Sequence, residues 1–201
     1  LHGFFDETIV RVDTLRAKPI FARHIIENYD LKNLVVVAPD FNEAKHSGPI
    51  ASLLGVECAT IDKRRQGDDE EAKAFGIIGS VEGKDGLLFD DECASGKTFL
   101  EAVDSCFEKK LLSMRALFAH LVLTSMKKSA EIQADGWIKE IIGLDTVPVP
   151  PEKKIPKLKI LSTVKYFGEA MKLIDAGEKL DPYKESLYDG LKAMADQKRA
   201  Q

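Results

Sequence analysis

Leu34-Val35-Val36-Val37-Ala38 is an unbroken apolar run with three β-branched residues at its centre, closed by Pro39-Asp40. A strand with one wet face alternates apolar and polar residues. A strand with no polar side must be covered on both faces. The run therefore predicts a central strand in a sheet sandwiched between helices. Its neighbours agree. Phe21, Ala22, Ile25 and Ile26 have helical spacing in a segment reaching Tyr29. After Asp40 a second helix runs through Ile50, Leu53 and Leu54 to a stop at Gly55, and Val56 to Ile61 reads as the next strand. Strand, helix, strand is the unit of a parallel sheet.

The same alternation continues along the chain. Short strands are expected at Gly76–Gly79, Leu87–Phe89, Ala116–Leu123, Ile138–Ile142 and Leu158–Leu161. Helices are expected at Phe99–Phe107 and Lys127–Ala134, with a further one capped by Ser162. Residues 62–74 are almost wholly charged and read as a solvated loop. Residues 181–201 form an amphipathic helix or fray. The fold class is α/β, an open and mainly parallel twisted sheet flanked by helices.

Composition narrows the partners. The net charge of −4 gives no reason to expect nucleic acid, and no apolar run approaches the roughly 20 residues that span a bilayer. Cys58, Cys93 and Cys106 lack metal-ligand or disulfide spacing and fit a reducing cytoplasm. Cys93 reads as a small turn residue rather than a nucleophile.

Open α/β sheets bind ligands beyond the carboxyl ends of their strands. Three such ends carry polar residues: Asp40, Lys63 with Arg65, and Asp90 with Asp91. The last pair opens the stretch Asp90 to Thr98, an acidic pair followed by a small-residue turn and a helix start. Backbone N–H groups there suit a phosphate, and the carboxylates suit ribose hydroxyls or a metal. Ser95-Gly96-Lys97-Thr98 imitates the end of an ATPase P-loop. That loop needs glycine where Asp91 stands, so it is excluded. An ordinary strand-to-helix turn has the same local signature, and the convergence of three strand ends favours a ligand site.

The ordered set of Gly3-Phe4-Phe5-Asp6, residues 30–40, Ile61 to Arg65, residues 79–85, Phe89 to Thr98 and residues 146–150 resembles the ribose-phosphate diphosphokinases, or phosphoribosyl-pyrophosphate synthetases. The resemblance implies the type I phosphoribosyltransferase fold and a reaction of MgATP with ribose 5-phosphate in nucleotide biosynthesis. Mg²⁺ would be the cofactor, ATP a substrate, and the product phosphoribosyl diphosphate, in a cytoplasmic homo-oligomer. It implies ribose 5-phosphate contacts from Asp90, Asp91, Ser95, Gly96 and Thr98. It also implies catalytic cations at Lys63 and Arg65, and a water-mediated Mg²⁺ partner at Asp40. Residues 1–18 are expected to be a linker or edge segment from a preceding domain that supplies much of the ATP site. Residues 19–178 would be the phosphoribosyltransferase-like domain and 179–201 a helical tail.

Both phosphate loops depart from the family pattern. Ala94 replaces an aspartate and Lys97 a glycine, while Asn42 and Glu43 replace paired glycines. A glutamate facing a diphosphate is unfavourable by about 1 kcal/mol or more at an effective dielectric near 20. Two functional readings follow. One is a synthetase domain, favoured by the intact Lys63-Arg64-Arg65. The other is a non-catalytic regulatory or associated subunit, favoured by the altered loops. A stand-alone phosphoribosyltransferase is disfavoured, because its hood and base-recognition segment are not evident in this chain.

Overall fold

The computed structural model describes residues 12–64 and 73–201 of the 201-residue chain. Helix α1 (Lys18–Asn28) carries Pro19 in its first turn, where its fixed φ suits the helix and its missing N–H leaves no orphan donor. Strand β1 (Leu34–Ala38) is buried at every position, as a two-sided strand must be. Helix α2 (Phe41–Leu54) is capped by the Asp40 carboxylate and ends at Gly55 in the left-handed conformation. Pro49 lies inside it and cannot donate to the Lys45 carbonyl, so the ladder is interrupted one turn below the cap end.

The chain continues through β2 (Glu57–Arg64), β3 (Lys73–Ile78), β4 (Asp85–Cys93), α3 (Lys97–Phe107), β5 (Ser113–Leu121), α4 (Met126–Ala134) and β6 (Ile138–Leu144). Then follow β7 (Leu158–Leu161), α5 (Val164–Asp175) and α6 (Leu180–Arg199). The described strands form one sheet in the order β3-β2-β1-β4-β5-β6-β7. Five of the six pairings are parallel, and only β2 and β3 run antiparallel. The interval 65–72 is shorter than the dozen or more residues that a parallel crossover needs, which explains the exception.

Alternation divides the sheet's side chains between two cores. Leu34, Val36, Leu87, Phe89 and Leu117 face α1, α2 and α6, while Val35, Val37, Leu88, Ala116 and Phe118 face α3 and α4. Helix α6 does not fray. Leu191 and Ala195 are fully buried against the first layer, and Arg199 Nη1 donates to the Gly55 carbonyl at 2.8 Å. No helix among the described residues is long and apolar enough to cross a membrane.

Two expected boundaries move. Strands occupy both ends of the charged segment, since β2 reaches Arg64 and β3 begins at Lys73; Arg65 lies outside the described residues. Strand β4 does not end at Phe89 but continues through the acidic residues, because β5 pairs with it at Asp90↔Phe118, Glu92↔His120 and Cys93↔Leu121.

Candidate functional site

From β1 the chain turns outward to β2, and after β3 it returns to the far side of β1 as β4. The strand order reverses between β1 and β4, with α2 on one face and α3 on the other. Such a switch point opens a crevice beyond the strands' carboxyl ends. Asp40 leaves β1 there and Asp90 lies on β4 beside it.

Beyond β4 the chain makes a tight loop into α3. Gly96 is its N-cap at φ 84°, and a Cβ there would stand 3.0 Å from Ile132 Cδ1. Both the left-handed backbone and the close approach require glycine. The Ser95 hydroxyl accepts the Lys97 N–H at 3.2 Å, and the Ala94 carbonyl accepts the Thr124 N–H at 2.8 Å. The Cys93 carbonyl accepts the Val122 and Leu123 N–H groups at 3.1 Å, so the loops after β4 and β5 are tied together. The result is a cavity of about 100 Å³ lined by Asp90, Glu92, Ser95, Gly96, Thr98 and Phe118 among others. It is large enough for a phosphate group, and the first turn of α3 directs backbone N–H groups toward the loop.

Asp90 carries the strongest electrostatic signature in this loop. Burial is the main cause that raises its pKa to about 7, assisted by a hydrogen bond to the Asp91 side chain and the charges of Asp91 and Glu43. The Asp91 N–H, donated to Asp90 Oδ1 at 2.8 Å, acts in the opposite direction. Glu43 thus joins the two loops electrostatically. Its own N–H is donated to Asp40 Oδ1 at 2.9 Å, so a phosphate would have to displace Asp40 to reach that donor.

Asp90, Ser95, Gly96 and Thr98 meet around one cavity, whereas Asp91 is exposed and outside its lining. Lys63 belongs to β2 by its backbone, and Arg65 lies outside the described residues. Glu92 was missed, although period-two alternation puts it on the Asp90 face. His120 is exposed at the end of β5, where Nδ1 bonds Thr146 Oγ1 at 2.9 Å. Cys93 is buried and its thiol is pushed up to about 12, first by burial, which makes it a packing residue.

Among the described residues no cluster of three or more His, Cys, Asp or Glu could hold a metal. A Mg²⁺ held mainly by substrate phosphates needs only one or two carboxylates. Asp40 fits that lesser demand: one oxygen caps α2, and the other has no hydrogen bond among the described residues.

The sheet order, the loop after β4 and its helix N-terminus define a protein of the type I phosphoribosyltransferase fold. No family model matches the chain. It is 35% identical over 176 residues to a ribose-phosphate pyrophosphokinase of Maricaulis maris, matching 87% of this chain and 54% of the relative. A ribose-phosphate pyrophosphokinase of Rhizobium meliloti is 32% identical over 190 residues, 94% of this chain and 58% of the relative. The crystal structure of phosphoribosylpyrophosphate synthetase from Mycobacterium smegmatis superposes with a TM-score of 0.75 at 29% identity, over 88% of this chain and 55% of that one. Over the matched residues the chain is homologous to the ribose-phosphate pyrophosphokinases. It spans little more than half the length of these relatives.

Proposed function

We propose that this chain forms the sugar-phosphate half of a ribose-phosphate diphosphokinase. In that reaction the C1 hydroxyl oxygen of ribose 5-phosphate bonds to the β-phosphorus of ATP. The bond from that phosphorus to the α,β-bridging oxygen breaks, AMP leaves with the oxygen, and the hydroxyl proton passes to solvent. The products are phosphoribosyl diphosphate and AMP. Support comes above all from the cavity of Asp90, Ser95, Gly96 and Thr98 at the switch point between β1 and β4.

In this reading the 5-phosphate sits in the loop after β4, held by α3 N–H groups and the hydroxyls of Ser95 and Thr98. Ionised Asp90 accepts a ribose hydroxyl, and Asp91 stands at the open edge. Lys63 and Arg65 carry, by resemblance, the positive charge that steadies the transferring group. Asp40 would hold a Mg²⁺, which when bound would supply positive charge to the diphosphoryl oxygens. The relatives reported above are named for this reaction, and none supports the non-catalytic alternative.

Calorimetric titration with ribose 5-phosphate tests the assignment. The chain should bind it, and Asp90→Ala should weaken binding by about tenfold, the worth of one charge-assisted hydrogen bond. Unchanged affinity removes Asp90 from the site. The chain alone should release no AMP from MgATP and ribose 5-phosphate; robust release would overturn the division of labour.

A further inference from the structure

Helix α5 is held to the body of the protein along a narrow strip. Ala170 is its one buried residue, and the Tyr166 ring lies 6.2 Å from that of Tyr183 on α6. Beside that strip run Val164, Phe167, Met171 and Ile174, which are 45% to 72% exposed. Among the described residues none of the four joins either core of the sheet. Their steps of three, four and three residues are the narrow a/d row of a coiled-coil seam. A helix that covers a core carries a wider stripe. Four large apolar side chains in such a row, open to water, form one half of a helix pair.

The other half can be the same helix of a second copy. The spacing reads alike in both directions, so an antiparallel α5, related by a two-fold axis at the level of Glu169, meets it in register. Val164 then faces Ile174 of the second copy, and Phe167 faces its Met171, an aromatic ring against a thioether. Gly168 lies on the open flank of the row. A Cβ there would meet nothing within 4 Å, so no contact within the chain accounts for a glycine inside this helix. A second helix laid alongside does, because glycine lets the two backbones approach. Charge is complementary as well. Asp175 ends α5, where its own helix dipole disfavours a carboxylate. In the antiparallel pair it lies against the first turn of the other α5, which holds Lys165 and no acidic residue.

We propose that α5 is the contact face of a two-fold homodimer of this chain, in which the two α5 helices pack antiparallel. Nothing in it depends on the ribose 5-phosphate assignment, since α5 contributes no residue to the cavity after β4. The row is about 15 Å long at 1.5 Å per residue, short for a permanent interface, so a dimer that dissociates in the micromolar range is expected.

Analytical ultracentrifugation of the chain from about 1 to 300 µM tests it. The 22.3 kDa monomer should give way to a dimer as concentration rises. Met171→Glu brings two carboxylates together near the axis and should weaken the dimer by about tenfold or more, with the far-UV circular dichroism unchanged. Should that variant not fold, Val164→Ser, at the most exposed of the four positions, should weaken it by about threefold. Lys165→Glu should also weaken it by about threefold, and adding Asp175→Lys should restore it, which a parallel pairing would not do. A monomer at every concentration, or an oligomer of any size that the folded Met171→Glu or Val164→Ser variant leaves undiminished, would overturn the proposal.

Discussion

Replacing Asp90 by Asn removes a charge that the folded chain holds unfavourably while keeping an oxygen for the Asp91 N–H. Raising a carboxyl from 3.8 to about 7 corresponds to at most about 4 kcal/mol between protonation states. The group is still partly open to water, and screening reduces the usable figure to about 1–2 kcal/mol. The sign follows from proton uptake. Below about pH 4 the carboxyl is protonated in both folded and unfolded chains, and Asp90 behaves like Asn. Between about pH 4 and 7 the unfolded chain ionises while the folded one keeps its proton, so wild-type stability falls as pH rises through the folded pKa. Asp90→Asn should therefore be neutral at pH 4 and stabilising at pH 8. For a chain this size that amounts to about 3–6 °C in melting temperature. Urea unfolding of both proteins from pH 4 to 8.5 measures it directly. A pH-independent difference, or destabilisation by Asn at pH 8, would refute the assignment of a strained carboxylate to this strand end.

Other outcomes follow from packing and charge. Glu43→Gln should give a smaller stabilisation of the same sign and pH dependence, read by the same denaturation series, because Glu43 is one of several causes acting on Asp90. Gly96→Ala forces a Cβ onto a left-handed backbone next to Ile132 and should destabilise by about 1–3 kcal/mol, seen as a lower urea midpoint. Leu191→Ala, which empties a site on α6 that is only 1% exposed, should cost about 2–5 kcal/mol in the same assay. A frayed, unpacked tail would show no such loss.

Much of the architecture was legible because burial writes itself into hydropathy. The run from Leu34 to Ala38 had to be a two-sided strand, and it is. The acidic stretch Asp90 to Glu92 hid the end of β4, since polar residues in sequence look like a loop. Whether they continue a strand depends on β5 lying alongside, a long-range fact. The antiparallel β3 was hidden for the same reason. In the site, the small-residue turn and its glycine were legible because backbone conformation restricts residue type. The convergence of Lys45 and His46 with Arg16 around one cavity was not, because it depends on where α1 lies against α2. The packing of α6 had only Leu187, Leu191 and Met194 to announce it, a spacing that fits an exposed amphipathic helix equally well.

Helix α2 has an asymmetric construction. Its last turns, Ile50 to Leu54, are anchored in the core and tied through Gly55 to Arg199. Its first turns carry the Asp40 cap, Glu43, and Lys45 and His46, which line a cavity together with Arg16 and Lys18. Pro49 stands between the halves, where the missing hydrogen bond makes bending easiest. The Asp40 end of α2 is therefore fastened by its cap and by side-chain packing, with one backbone hydrogen bond fewer than the core-anchored end to couple it to the rest of the helix.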